Sequence, residues 1–433
     1  MRRLEIAVTA AATVSLTGVQ GVAPALPALQ ADLGITAAEI SFVTIAYVLA
    51  AALVAFPVSA FGDRYGERPV IAGALLVFAA CGPAVFLVDA LPALVAVRFV
   101  QGAAFGVVLS LSIAAVSHSV DSVELARAQR TRLVAMAAGE VVFPLVSGTV
   151  LLFASWQWVF ALQAVALPVA VLCWWALPAA RPAPPPVAGP AEADRTPRGG
   201  FVGAALGALG TPFGAAVQVP GFVRFFVKFT ILSYVPLLAA DAFGLSPLEI
   251  AVMIGASAFV AASVAVFVPA LLRRWSVGAL TFAALVLAAL PIALVPVTGV
   301  AGALGGALLV ALVVVSGLGD GMLGVLNNVS ASLAAPPAAR SAFLGATGSI
   351  RNLGKLVAPA LLGALTVAVP LGGAIAVVGV LGLAGAGSVP AISRGVRRAA
   401  STRPGPATPP GERRRSRPPG PRRRGDDPHD DGA

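Results

Sequence analysis

Residues 39–60 read EISFVTIAYVLAAALVAFPVSA, residues 61–68 read FGDRYGER, and residues 69–88 read PVIAGALLVFAACGPAVFLV. Two apolar runs flank a turn that holds Asp63, Arg64, Glu67 and Arg68. A bilayer core of about 30 Å is crossed by about 20 apolar residues in a helix. Backbone groups in lipid must find partners within their own segment, so each run has to be helical. The charged turn needs water. The stretch is a helical hairpin through a membrane.

The pattern recurs along most of the 433-residue chain, in which 58% of residues are hydrophobic and 11% charged. Soluble domains carry about 25% charged residues. So few ionic groups cannot cover a water-facing surface, and the apolar residues therefore face lipid. Spans are expected at 5–28, 39–60, 69–88, 93–117, 131–153 and 156–177. Six more are expected at 222–242, 248–270, 277–297, 302–329, 342–367 and 371–391. Met1-Arg2-Arg3 before an apolar run imitates a secretory signal. The run extends to about Leu29, longer than a signal core, and is read as an uncleaved first span.

Arginine gives the orientation. Arg2 and Arg3, Arg64 and Arg68, Arg127, Arg130 and Arg132 fall in alternate loops, as do Arg181, Arg195 and Arg198, Arg273 and Arg274, and Arg340. The intervening loops, around 31–39, 89–92, 155, 241–249, 296–302 and 370, hold no Lys or Arg. Basic loops stay cytoplasmic. The alternation predicts an even number of spans, both termini in the cytoplasm and a multi-pass protein of the cell (plasma or inner) membrane.

Residues 179–218 interrupt the rhythm. Their first part is polar and Pro-rich, which favours extended or flexible chain; residues 201–219 are apolar but rich in Gly, an interfacial segment by preference over a thirteenth span. Four regions follow: a six-helix bundle over 1–178, a cytoplasmic linker over 179–218, a second six-helix bundle over 219–393, and a disordered, basic Pro/Arg-rich tail over 394–433. The fold class is an all-α membrane protein of about 12 helices. The tail has the composition of a solubilising segment; its charge attracts lipid headgroups, and no nucleic acid partner is expected.

Three segments carry a family resemblance. The turn Ser59-Ala-Phe-Gly-Asp63-Arg64-Tyr65-Gly66-Glu67-Arg68 is similar to the signature loop after span two in the major facilitator superfamily, with Ser59 in place of a Gly and Glu67 in place of a base. In span four, Arg98-Phe-Val-Gln101-Gly102 resembles the family's Arg-x-x-Gln-Gly motif. In span five, Gly139, Pro144 and Gly148 match the glycine–proline motif of the family's exporters, although Phe143 and Ser147 replace glycines. The resemblance, nearest to twelve-span drug:proton antiporters, implies a gating role for Asp63, Arg64, Gly66 and Arg68. It implies proton transfer through Arg98, and helix packing for Gly139, Pro144 and Gly148.

Charged residues inside spans are costly and mark function by default. Arg98 has snorkelling as its alternative. Glu140 sits about nine residues, or ~14 Å at 1.5 Å per residue, inside span five; burial in lipid favours a protonated carboxylate unless a cation holds the charge. Arg98 on the preceding helix is one possible partner for it. Asp320 in span ten and Arg351 in span eleven lie at matching depths and are expected to pair, with Lys355 one turn further on. If the bundles are repeats, each holds one acid and one base on equivalent helices, with signs exchanged. These pairs either couple protons and bind substrate or merely hold the bundles together. Gln20, Gln101, Tyr234, Asn327 and Asn328 are candidate cavity hydrogen-bonders, whereas Arg224 and Lys228 are expected to snorkel to the cytoplasm.

Cys81 and Cys173 lack paired spacing and His118 and His429 are the only histidines, so no metal or cofactor is expected. The chain has no phosphate-binding Gly-x-x-x-x-Gly-Lys-Ser/Thr loop and no nucleophile–base pairing, which argues against a pump or an enzyme. A secondary carrier is expected, a functional monomer with a small-molecule substrate, protons and membrane lipids as partners. Proton-coupled efflux of a small amphiphilic molecule leads. Proton-symport import is the alternative within the fold, and a membrane scaffold or sensor with a recruiting tail the alternative from another class; deleting residues 394–433 separates carrier from recruiter.

Overall fold

The architecture comes from a computed structural model, which describes residues 2–55, 58, 62, 64–117, 122–178, 200–336 and 339–401. Every regular element among them is helical. Ten helices are long and apolar enough to cross a membrane. Two more complete the dozen. Val277–Ala293 is 17 residues long and continues as Val295–Val300. Arg340–Leu365 is long enough at 26 residues but carries Arg351 and Lys355.

The first bundle contains span one (Arg2–Val14, with short turns leading to Leu26–Leu33), span two (Ala37–Ala55), span three (Glu67–Ala84) and span four (Leu91–Ser117). Span five is Ser122–Val150, and span six is Trp156–Ala161 continued by Ala166–Ala176. The second bundle contains span seven (Gln218–Ser233 and Val235–Phe243), span eight (Pro247–Leu271), span nine (Val277–Ala293 and Val295–Val300) and span ten (Gly305–Ala334). Span eleven is Arg340–Leu365, and span twelve is Leu371–Ala384 continued by Val389–Ser401. Span five begins nine residues before the expected 131, because a helix does not stop where the lipid does and hydropathy cannot see its wet end.

The two bundles are repeats, and their register is visible in matched details. Gly34 (φ 60°) and Gly244 (φ 62°) both end a helix in the left-handed region, where lack of a Cβ removes the steric cost. Two residues later Thr36 and Ser246 begin spans two and eight with the same reciprocal cap. Thr36 N donates to Glu39 Oε2 at 2.8 Å and Ser246 N to Glu249 Oε2 at 2.7 Å. An interval of 210 residues relates the two caps. A second interval, 215, relates span four to span ten, while 210 still relates span two to span eight, and their crossings match. A Cβ on Gly102 or Gly106 would strike the Tyr47 or Ala51 carbonyl, and one on Gly317 or Gly321 that of Ser257 or Ala261. The same 215 carries Pro144 onto Pro359, Gly148 onto Gly363 and Glu140 onto Lys355. The equivalents of Arg98 and Asp320 are Val313 and Phe105, so the sign exchange lies between Glu140 and Lys355 alone, not between two acid–base pairs.

Between the bundles, Gly200–Leu209 is a helix of 10 residues, about 15 Å long at 1.5 Å per residue and too short to span. It leads to Pro212–Ala216, which Thr211 caps by accepting from Gly214 N at 3.0 Å. This segment packs with Ala331, Phe343 and Ile392 in a small core at the end of the second bundle that bears the basic loops. The last helix runs to Ser401, so residues 394–401, expected to open the disordered tail, are helical, and Gly395 lies against the Phe213 ring. Of the linker expected at 179–218, residues 179–199 lie outside the described residues, as does the tail from 402 onward.

Candidate functional site

A cavity of about 650 Å³ opens between the bundles, within the ~300–1,000 Å³ usual for small-molecule sites. It occupies the halves of the spans nearer the basic loops: Ala52 of span two, Leu109 of span four, Leu133 of span five, Ala265 of span eight and Val329 of span ten line it. The opposite halves are closed against each other. A Cβ on Gly148 of span five would lie 2.9 Å from the Pro247 carbonyl and 3.1 Å from Leu248 Cα of span eight. One on Gly363 of span eleven would lie 2.7 Å from Ser41 Oγ of span two. Thr44 and Ser233 share a hydrogen bond of 3.3 Å across the same seam. Small residues permit this backbone approach. The cavity is open on the basic side and sealed on the other.

Four charged side chains meet on its wall. Arg224 grips Asp320 with two donors, Nε to Oδ1 at 2.7 Å and Nη2 to Oδ2 at 3.3 Å. Lys228, one helical turn on, donates to Glu140 Oε2 at 2.8 Å and lies 3.5 Å from Asp320 Oδ2. Glu140 belongs to the first bundle; the other three belong to the second. The network therefore bridges the bundle interface through Lys228. Arg224 and Lys228 do not snorkel to the basic side as expected, because two carboxylates at the right depth offer each a charged partner. Sequence spacing cannot show that spans seven, five and ten converge.

The expected pairings change accordingly. Asp320 pairs with Arg224 instead of Arg351, whose Nη1 donates to Asn328 Oδ1 at 3.3 Å. Glu140 pairs with Lys228 instead of Arg98. Arg98 is 3% exposed and reaches no carboxylate among the described residues. Its Nη2 donates to the Gly18 carbonyl at 2.9 Å and its Nη1 to Gln101 Oε1 at 2.7 Å, while its guanidinium lies 4.2 Å from the Tyr47 ring centroid. Gln101 donates onward to Gln163. Arg98 thus ties spans one, two and four together inside the first bundle, and Gln101 serves it there.

Of the remaining candidates, Gln20, Asn328 and Lys355 line the cavity. Tyr234 and Asn327 do not: Tyr234 is fully buried and donates to the Pro359 carbonyl at 3.3 Å, and Asn327 donates to the Val217 carbonyl at 2.8 Å. Gly139 packs inside the first bundle, 3.0 Å from Thr13 Cγ2 by its missing Cβ, and Pro144 is a buried interruption of span five. In the turn after span two, Gly66 has φ 85°, a glycine conformation. Arg64 lies over the Tyr65 ring at 5.3 Å and Arg68 over Trp174 at 4.5 Å. Asp63 lies outside the described residues.

Two six-helix repeats around a central polar cavity are the plan of secondary carriers. The sequence pattern of the Major Facilitator Superfamily matches residues 8–359. This chain belongs to that superfamily. Its helices have the multi-pass membrane fold of that superfamily. Among curated relatives, the "Probable transport protein HsrA" of Haemophilus influenzae is 29% identical over 140 residues, 32% of this chain and 30% of that one. An uncharacterized MFS-type transporter of Mycobacterium tuberculosis is 28% identical over 175 residues, 40% of this chain and 25% of its own. These matches span less than a third of the relatives' lengths. Solved structures share the fold over far more of the chain. A bacterial homolog of the human lysosomal transporter Spinster, in an inward-facing and unoccupied conformation, superposes with a TM-score of 0.68 at 14% identity, covering 92% of this chain and 95% of that one. A D-xylose–proton symporter gives 0.68 at 14% identity, with coverage of 89% and 96%. A POT family transporter in complex with 5-aminolevulinic acid gives 0.72 at 12% identity, with coverage of 90% and 96%.

Proposed function

We propose that this superfamily member exports a small amphiphilic molecule in exchange for protons, by alternating access, as a monomer in the cell membrane with both termini in the cytoplasm. With the basic loops cytoplasmic, the cavity is open inward. The observation that carries the reading is Lys228, held between Glu140 of one bundle at 2.8 Å and Asp320 of the other at 3.5 Å on the cavity wall. A proton on Glu140 removes the charge that ties Lys228 across the interface. A charge-assisted hydrogen bond contributes about 1.5–3 kcal/mol, and a coupling of about 1–3 kcal/mol shifts a two-state balance roughly 5–150-fold. Proton occupancy of one carboxylate is thus large enough to bias which side the cavity faces. The matches in span five to the exporter motif, Gly139, Pro144 and Gly148, support outward transport, and Gly148 lies in the seam that must part. The turn at Asp63, Arg64, Gly66 and Arg68 is assigned to gating on the cytoplasmic side.

The test uses purified protein in liposomes with an imposed pH gradient and a panel of radiolabelled small solutes. Glu140→Gln and Asp320→Asn are each expected to lose gradient-driven accumulation, and Glu140→Gln is expected to retain solute–solute exchange. Wild-type gradient-driven transport by both variants would remove the coupling role.

A further inference from the structure

We infer that the transported molecule is an amphiphilic monoanion, whose anionic head is held by the ammonium of Lys355. The inference rests on the reading of this cavity as the transport site and names what the site takes.

The cavity wall carries three cations, Arg224, Lys228 and Lys355, and two carboxylates, Glu140 and Asp320. With all five ionised the wall has one positive charge in excess. That excess has an address. Arg224 and Lys228 consume both carboxylates. Lys355 is in ion-pair contact with no carboxylate among the described residues, and its ammonium lies 4.7 Å from the Phe225 ring centroid. Ionisable groups within a membrane pair with one another or serve a ligand or ion path, because an unbalanced charge there is costly. Lys355 is also the repeat equivalent of Glu140, so it occupies the position from which the first bundle presents its own cavity charge. Arg351, one turn away on the same helix, finds no carboxylate among the described residues, donates to the Asn328 amide oxygen at 3.3 Å, and adds to the positive field. Asn328 and Asn352 stand on the same wall with amide donors.

The rest of the cavity gives the body of the ligand. Phe105, Leu109, Leu133 and Met136 line the first bundle's side. An apolar wall opposite one unpaired ammonium fits a molecule with an apolar body and a single carboxylate or similar head. A cation would meet the excess charge.

The probes are three molecules with one body: tritiated 2-naphthoate, and unlabelled 2-naphthylmethylammonium and 2-naphthalenemethanol as competitors. Binding to full-length protein is measured in phosphatidylcholine nanodiscs, with empty discs subtracted. Naphthoate is expected to bind about tenfold or more tightly than either competitor, the scale of one charge-assisted hydrogen bond. Lys355→Gln should remove that preference, and Lys355→Arg should keep it. Absent binding, preference for the ammonium or the alcohol, or a naphthoate affinity untouched by Lys355→Gln overturns the inference. Loss of naphthoate binding in discs containing phosphatidylglycerol also overturns it, reassigning the site to a lipid head. The transport reading is scored separately: gradient-driven flux of cationic or neutral solutes that Glu140→Gln abolishes would keep the carrier and discard the anion.

Discussion

The seam that closes the cavity opposite the basic loops offers a clean perturbation in Gly148→Ala. The added Cβ would lie 2.9 Å from the Pro247 carbonyl oxygen and 3.1 Å from Leu248 Cα. Carbon atoms rest about 3.5–4.0 Å apart, so the substitution falls short by roughly half an ångström or more against backbone, which cannot rotate aside. One excess methyl in a tight contact costs about 1–3 kcal/mol. Alanine also favours a helix over glycine by about 1 kcal/mol, but span five is helical whichever way the cavity faces, so that gain cancels. The clash acts only while the seam is shut. The balance should therefore move roughly 5–150-fold away from the described state. Spin labels at Leu87 and Val300, 86% and 85% exposed on the sealed side of the two bundles, report the distance across the seam. A second pair at Arg64 and Arg274 reports the basic side. Gly148→Ala should add a longer component to the first distribution and a shorter one to the second. Gly139→Ala, crowded only within the first bundle against Thr13 and Phe143, should change neither. Wild-type distributions in folded Gly148→Ala protein would refute the assignment of the seam.

Arg98→Lys should lower the thermal unfolding midpoint in detergent: one ammonium cannot reach both the Gly18 and Gln101 acceptors and cover the Tyr47 ring, and each hydrogen bond from a charged donor contributes about 1.5–3 kcal/mol. An unchanged midpoint would mean that Arg98 is not a structural tie. Asn327→Ala removes the hydrogen bond to the Val217 carbonyl, a loss of about 1–2 kcal/mol; amide exchange over 212–217 should accelerate while that of span ten keeps its rate. For orientation, a membrane-impermeant maleimide applied to intact cells should label Val300→Cys and spare Arg274→Cys. Labelling of both from outside would break the topology.

Residues 39–88 and the spacing of arginines were enough to establish a membrane protein of paired six-helix bundles, because hydropathy and loop charge are local properties that lipid and water read directly. The repeat was also written in the chain: Gly34-Ile35-Thr36 with Glu39 and Gly244-Leu245-Ser246 with Glu249 are the same cap twice. Those short matches gain meaning only once each is seen to begin the second span of its own bundle. Glu140, Asp320 and Lys355 stand out in the sequence because a charge in a span has no cheap local explanation.

Partnership was not legible. Arg224 and Lys228 stand near one end of span seven and look like snorkelling residues until spans five and ten are brought beside them. Asp320 then meets Arg224, and Glu140 meets Lys228 across the bundle interface. Tyr234 and Asn327 looked like cavity residues, yet rotation of their helices points them at backbone carbonyls. Depth follows from counting residues along one helix. Facing and pairing depend on how separate helices rotate and cross, which glycine contacts such as Gly148 with Pro247 and Gly363 with Ser41 decide. The chain alone thus determined which charges enter the membrane, and packing between distant segments decided that Lys355 lines the cavity without a carboxylate partner among the described residues.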